Sequence, residues 1–246
     1  MDKPEILICR DATDLARKAA EQFVSLAGRA MARVGRFAVA LSGGSTPRAF
    51  YELLGSAECR ERVDWSRVHL FWGDERSVPP DHAESNFRMV QEALLAKILL
   101  PLQNIHRMAG EKDPAKAADA YEHELCEFFA LAPGQLPRFD LILLGLGDDG
   151  HTASLFPGTV ALPEQERLVA SVYVEKLKAQ RLTLTLPVIN AAAQVMFLVA
   201  GSGKADVVGR VLRRSAADDL PAARVRPANG SLTWMITQDA ATSLSK

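Results

Sequence analysis

The segment 145–151, GLGDDGH, places two carboxylates and a histidine among three glycines. It overlaps the end of an apolar run, Leu141–Leu146, so we expect its residues at the end of a buried strand, where α/β proteins place their active sites. A neutral imidazole can take a proton from water near pH 7, and a carboxylate can fix its tautomer. A lone histidine is more often structural, but Asp149, two residues earlier in the chain, favours His151 as a catalytic base.

The same glycines form a GxGxxG pattern, which is typical of dinucleotide-binding sites. Asp148 and Asp149 would repel a pyrophosphate, and no acid that could bind a ribose closes a following strand. The pattern is therefore weak support for a nicotinamide cofactor. No GxSxG segment is present, so a serine nucleophile also has little support.

The segment Ser42–Pro47, SGGSTP, follows another apolar run and precedes a helical pattern. Glycines allow a close backbone approach to an anion, and hydroxyls with free N–H groups at a helix start favour negative charge. This predicts a phosphate-binding loop. The alternative is a helix cap in a tight turn.

Charged residues follow two further predicted strands. In the segment 73–76, GDER, an arginine could bind phosphate with two hydrogen bonds and an aspartate could orient a hydroxyl, although a surface salt-bridge loop has the same composition. Lys204 stands where a strand passes into a helix and could meet a phosphate. Alone, it could equally be an exposed lysine.

Alternating strand and helix patterns place these segments at one edge of a sheet. The predicted strands are Ile6–Cys9, Phe37–Leu41, Val68–Trp72, Leu141–Leu146, Leu168–Val174, Leu182–Leu186, Val195–Ala200 and Leu232–Ile236. Predicted helices cover Ala12–Ala30 and Glu84–Ile98, and a third carries Ala118, Tyr121, Leu125 and Phe128 on one side. No linker or repeat interrupts the pattern, so we expect one domain over residues 1–246 with a largely parallel sheet.

Composition excludes several classes of partner. The chain has 29 Lys and Arg against 30 Asp and Glu, so no net field attracts nucleic acid or an anionic membrane. No segment has the apolar length of a signal peptide or a membrane span. Cys9, Cys59 and Cys126 are odd in number and form no CxxC pair, which predicts reduced cysteines and a cytoplasmic protein.

Five ordered segments closely resemble the family of 6-phosphogluconolactonases, which shares its fold with the glucosamine-6-phosphate deaminases. They are LSGGSTPRAFYELL, VHLFWGDERSVPPDHAESNFRM, FDLILLGLGDDGHTASLFPG, RLTLTLPVINAAAQVMFLVAGSGKA and LPAARVRPANGSLTW. The resemblance implies a doubly wound, Rossmann-like α/β fold whose mostly parallel sheet has helices on both faces. It also implies hydrolysis of 6-phospho-D-glucono-1,5-lactone in the oxidative pentose phosphate pathway.

The resemblance further implies a role for each candidate residue. His151 would activate water and Asp149 would support it, while Asp74 and Asn86 would position sugar hydroxyls. The 6-phosphate would be bound by Ser42, Gly43, Gly44, Ser45 and Thr46, with Arg76, Arg181 and Lys204 as cationic partners. We expect a monomer that acts on a small-molecule sugar-phosphate lactone and needs no metal or organic cofactor.

Three alternatives remain. Deaminases of the same fold continue from their histidine as HIAFNEP, with a glutamate five residues on, where this chain has Phe156. An apolar ring cannot move a proton, which disfavours deamination. A non-catalytic sugar-phosphate sensor would bind without turnover, and a nicotinamide-dependent enzyme would bind the cofactor.

Overall fold

The computed structural model describes residues 3–213 and 220–244. Its strands are β1 (Glu5–Cys9), β2 (Phe37–Leu41), β3 (Val68–Trp72), β4 (Asp74–Arg76), β5 (Ile105–His106), β6 (Leu141–Leu144), β7 (Val169–Val174), β8 (Ala179–Leu184), β9 (Gln194–Val199) and β10 (Ser231–Thr237). Its helices are α1 (Ala12–Val34), α2 (Ser45–Leu54), α3 (Ala57–Arg60), α4 (Asn86–Ala93), α5 (Pro114–Phe129), α6 (Leu186–Ala191) and α7 (Ala205–Arg213).

Within the described residues, seven strands form one parallel sheet in the order β1-β10-β9-β6-β2-β3-β5. From β2 the chain proceeds to β3 and β5 on one side, then returns to β6 on the other side and continues outward. The strand order thus reverses between β2 and β6. In open α/β sheets, ligands bind beyond the carboxyl ends of the strands at such a point, so the topology places a site next to the loops after β2 and β6.

Helices cover both faces of this sheet. Phe37 on β2 meets Phe23 of α1 with ring centroids 5.2 Å apart. Phe71 on β3 pairs with Ala40 of β2, three residues beyond Phe37, so it points to the opposite face. There it meets Phe128 of α5 with centroids 5.0 Å apart. The doubly wound, mostly parallel α/β fold with helices on both faces is therefore confirmed.

A second sheet differs from the sequence-based expectation. The described residues of β4, β8 and β7 pair antiparallel in that order, apart from the central sheet. The alternating pattern predicted β7 and β8 as strands and one largely parallel sheet, and it gave no sign of a separate antiparallel sheet. Their connection is a tight turn over Glu175–Leu177, far too short for the crossover that parallel neighbours require.

Several predicted boundaries also shift, each with a local cause. The strand expected over Leu141–Leu146 ends at Leu144 because the glycine-rich loop begins there. The strand expected to reach Leu186 ends at Leu184, since Leu186 opens α6 with a proline in its first turn. The helix expected from Glu84 starts at Asn86, where the side chain of Ser85 caps it.

Two sequence-based predictions, that the cysteines are reduced and that no segment spans a membrane, can be compared with the described part of the chain. Cys9 and Cys59 are buried and Cys126 is half-buried, and all three are free thiols. No helix in the described residues combines the length and the apolar content that crossing a bilayer requires.

Candidate active site

A cleft of about 430 Å³ opens where the loops after β2, β3, β6 and β9 meet. The predicted site residues that line it are Ser42, Gly43, Gly44, Ser45, Thr46, Asp74, Arg76, Asn86, His151, Arg181 and Lys204. The remaining predicted residue, Asp149, contacts His151 directly. The structure therefore brings all the predicted residues to one place, at the reversal of strand order.

Asp149 and His151 form a tight hydrogen-bonded pair in the loop after β6. His151 Nδ1 lies 2.5 Å from Asp149 Oδ1, and the same oxygen accepts from the His151 backbone N–H at 3.1 Å. A carboxylate can only accept, so Nδ1 carries the proton. Nε2 is left as the basic nitrogen and has no hydrogen-bond partner among the described residues, while the ring lines the cleft.

Two neighbours hold the imidazole of His151 in place. The ring of Phe156 stacks on it, with centroids 3.9 Å apart and an angle of 23° between the planes. A Cβ added at Gly147 would stand 2.0 Å from His151 Nδ1, so only glycine fits this close approach. The loop thus fixes the tautomer and also the plane of the ring.

Burial and nearby charges set the protonation of this pair. Burial lowers the pKa of His151 below its ordinary value, against the opposing effects of Asp149 and Asp74. Burial would raise the pKa of Asp149, but hydrogen bonds from Lys176 and His151 outweigh it and hold that pKa well below its usual range. Near neutral pH the pair is therefore a carboxylate beside a neutral imidazole.

The loop after β2 presents backbone donors to the cleft. The Tyr51 hydroxyl accepts from the Ser42 N–H at 3.0 Å and donates to the Ser42 carbonyl at 2.9 Å, which fixes where the loop starts. Gly44 has φ of 110°, a conformation that favours glycine. At Gly43, a Cβ would stand 1.8 Å from the side-chain oxygen of Asn86. Both glycines are thus required by geometry.

Helix α2 begins with no side-chain cap, although Ser45 and Thr46 stand in its first turn. The first N–H groups of a helix have no acceptor within it and favour an anion. Ser42 Oγ is also buried without a hydrogen-bond partner in the described residues. The helix start is therefore not self-capped, and its free N–H groups and the Ser42 hydroxyl are available to an anion.

Two arginines stand side by side at the cleft. Arg76 on β4 lies directly opposite Arg181 on β8. Their Nε atoms are buried, and neither has a hydrogen-bond partner within the described residues. Burial and then the charge of Arg76 lower the pKa of Arg181. Like charges directly opposite each other destabilise a sheet, so this pair is suited to an anion between or beside the guanidinium groups.

Asp74 and Asn86 are hydrogen-bonded to each other, and Asn86 also binds Arg76. Asn86 Nδ2 donates to Asp74 Oδ1 at 3.2 Å, and its side-chain oxygen accepts from Arg76 Nη1 at 2.5 Å. Ser154 Oγ donates to Asp74 Oδ2 at 2.8 Å. Glu75 anchors Asn86, because its buried carboxylate accepts a hydrogen bond from the backbone N–H of Asn86 at 2.7 Å.

Each aspartate of the loop after β6 has a lysine partner. Lys204 Nζ lies 2.5 Å from Asp148 Oδ1. Lys176, in the turn between β7 and β8, pairs with Asp149 Oδ2. Both lysines line the cleft. Lys204 therefore lies where it was expected, but it is already paired with the carboxylate of Asp148.

Sequence patterns did not single out Lys176, Ser154 or Tyr51. Lys176 meets Asp149 only because of where the β7–β8 hairpin lies in the fold, and no local signal predicts that contact. Ser154 follows the loop closely but resembles any small polar residue. Phe156 was considered only as a missing glutamate, whereas its ring in fact supports His151.

The arrangement can hold a small anion and activate water in the same cleft. Ser42 Oγ and the Nε atoms of Arg76 and Arg181, which have no hydrogen-bond partner in the described residues, lie at one end. A neutral imidazole oriented by a carboxylate lies at the other. Such a pair can take a proton from a water molecule that attacks an electrophilic carbon. The geometry suits hydrolysis of a small phosphorylated molecule.

Comparisons with known proteins agree with this geometry. The family model of glucosamine-6-phosphate isomerases/6-phosphogluconolactonase matches residues 10–234. The chain is 40% identical to the 6-phosphogluconolactonase of a Nostoc species over 99% of both chains, and 45% identical to that of a Synechocystis species over 88% of both. The solved 6-phosphogluconolactonase from Trypanosoma cruzi superposes with a TM-score of 0.88 at 30% identity, covering 99% of this chain and 98% of that one. This chain therefore belongs to the glucosamine-6-phosphate isomerase/6-phosphogluconolactonase family.

Proposed function

We propose that this protein hydrolyses 6-phospho-D-glucono-1,5-lactone to 6-phospho-D-gluconate in the oxidative pentose phosphate pathway. Relatives that bear the name 6-phosphogluconolactonase match nearly the whole chain. The observation that carries the proposal is the Asp149–His151 pair with its open Nε2, in the same cleft as unpartnered phosphate-binding groups.

The phosphate of the substrate binds at the arginine end of the cleft. Arg76 and Arg181 supply two guanidinium groups, which suit the oxygens of a phosphate. The N-terminus of α2 and the hydroxyl of Ser42 complete the anion site. Asp74 and Asn86 line the same cleft. Their side chains form hydrogen bonds with the sugar hydroxyls.

Hydrolysis proceeds by general base catalysis. His151 Nε2 takes a proton from water as the water oxygen bonds to the lactone carbonyl carbon. The carbonyl becomes a tetrahedral oxyanion, and Asp149 stabilises the imidazolium. When the bond to the ring oxygen breaks, that oxygen takes the proton back from His151, which restores the base and releases the open-chain acid.

The catalytic demand is modest. A lactone is an activated ester that already hydrolyses slowly in water. A positioned base contributes about 10²- to 10⁴-fold, and donors to the oxyanion add to this. The groups placed around His151 are sufficient for a reaction of this kind.

Deamination, the other activity named in the family, has less support. Phe156 stands five residues after His151, where the deaminases have a proton-transferring glutamate. Its ring is buried against the imidazole. The fold alone does not discriminate, since a monomeric glucosamine-6-phosphate deaminase superposes with a TM-score of 0.79 at 19% identity.

We place the reaction in the cytoplasm. The support is that all three cysteines are free thiols, as expected in a reducing compartment.

The test generates the lactone in situ with glucose-6-phosphate dehydrogenase and follows its decay with and without this protein. We expect decay well above the spontaneous rate. Unphosphorylated glucono-1,5-lactone is the matched substrate control, and its kcat/KM should be at least about 10²-fold lower because it cannot use the anion site. Decay of the phosphorylated lactone at the spontaneous rate would show that the assignment is wrong.

A further inference from the structure

Lys176 occupies an unusual place relative to the base. It lies in the turn Glu175–Leu177 of the β7–β8 hairpin and reaches across to Asp149 Oδ2, while the other oxygen of Asp149 binds His151. Its Nζ also stands 5.8 Å from the centre of the Phe156 ring, which stacks on the imidazole. Lys176 therefore contacts both groups that hold His151 in place.

The charges that face His151 are unbalanced without this lysine. Asp149 and Asp148 approach from the loop after β6, and Asp74 approaches from the start of β4. Lys204 is already paired with Asp148. Each carboxylate favours a protonated imidazole, and an imidazolium cannot accept a proton from water. Burial is the first cause that lowers the pKa of His151, and Lys176 is a cation that acts on it in the same direction, against the carboxylates.

We propose that Lys176 is a positioning residue that keeps His151 neutral by holding Asp149 and offsetting its charge. The catalytic part of this inference rests on the proposed function, but the effect on protonation does not. A purely structural role fits poorly, because the Lys176 side chain is 57% exposed and exposed ion pairs add little to stability.

The two roles predict opposite shifts in the pKa of His151 when Lys176 is removed. If Lys176 only anchored Asp149, its removal would loosen the bond from Asp149 to His151, and the pKa of His151 would fall. If Lys176 offsets the charge of Asp149, its removal leaves a full negative charge beside the ring, and the pKa of His151 rises. The direction of the shift therefore decides between them.

The experiment titrates the His151 ring by NMR in the wild type and in Lys176→Met, with the resonance assigned from His151→Ala. We expect the pKa of His151 to rise by about 0.5 to 1 unit in Lys176→Met. Lys178→Met is the matched control, because it removes the same charge from the same hairpin turn, and it should shift the pKa by less than about 0.2 unit. Lys176→Arg keeps the charge and should restore the wild-type value.

Kinetics provide the second measurement. Protonated His151 is inactive, so the acid limb of kcat/KM should move to higher pH by the same amount in Lys176→Met. The deficit against the wild type should then be larger at pH 6 than at pH 8.5. An unchanged or lowered pKa of His151, or an equal rise in Lys178→Met, would overturn the inference. If the pKa rises but the wild type does not hydrolyse lactone, the proposed function fails while the role of Lys176 in protonation stands.

Discussion

The two ends of the cleft are built in opposite ways. At the His151 end, both oxygens of Asp149 are engaged, Nδ1 is bound, and Gly147 and Phe156 lie close against the ring. At the arginine end, buried atoms of Ser42, Arg76 and Arg181 have no hydrogen-bond partner within the described residues.

In the proposed reaction, this difference separates a group that acts from groups that bind. Catalytic groups contribute most when they are oriented before the substrate arrives, since no reorganisation is then needed during the reaction. Buried donors without partners carry a free-energy cost that a bound anion can remove. In this proposal the His151 end is complete without substrate, and the phosphate completes the arginine end.

Of the changes that leave the functional side chains in place or alter only the anion site, the larger expected effect comes from disturbing the His151 end. In Gly147→Ala, the new methyl group would overlap the His151 ring, since a Cβ there stands 2.0 Å from Nδ1. We expect kcat to fall about 10²-fold, because a displacement of about 1 Å in a catalytic group has that effect. KM should stay within about threefold, and steady-state kinetics on the lactone measure both.

Gly145→Ala is the matched control in the same loop, since a Cβ at Gly145 meets nothing within 4 Å. Its kcat should stay within about threefold of the wild type. Equal losses in the two variants would mean that loop flexibility matters and that the fixed ring plane does not.

At the arginine end we expect a smaller effect, which falls on KM and not on kcat. Arg181→Gln removes one of two like charges that face each other across β4 and β8. KM should rise about tenfold, equivalent to about 1.4 kcal/mol of lost binding, while kcat stays within about threefold. The thermal midpoint without ligand should rise by about 1 to 3 °C, because the repulsion is relieved.

Arg17→Gln, on the exposed surface of α1 and outside the cleft, makes the same charge change and should alter neither quantity. A fall in the thermal midpoint of Arg181→Gln would show that the arginine pair stabilises the protein, which is the reverse of a site that awaits its anion.

Local sequence signals were enough to predict most of what surrounds the reversal of strand order. Strands β2 and β3 match their predicted limits, and the loops that follow them carry their own chemical signature in glycines and charges. These features depend on residues close in the chain, so periodicity and motif spacing capture them.

The long-range contacts of the second sheet could not be predicted in this way. The short strand β4 has only three residues, and its pairing with β8 joins Arg76 to a residue far along the chain. The pairing of Lys176 with Asp149 likewise depends on where the β7–β8 hairpin lies. The sequence therefore indicated which residues gather at the cleft, while the opposed arginines and the contact of Lys176 with Asp149 required the tertiary structure.

The most direct test of the account compares lactone hydrolysis by His151→Ala with that of the wild type at saturating lactone. His123→Ala is the control, because that side chain is 75% exposed on α5. We predict that kcat falls about 10²- to 10⁴-fold in His151→Ala, with KM within about threefold, since only the base is lost. If His151→Ala keeps the full wild-type rate, His151 is not the base and the central claim is wrong.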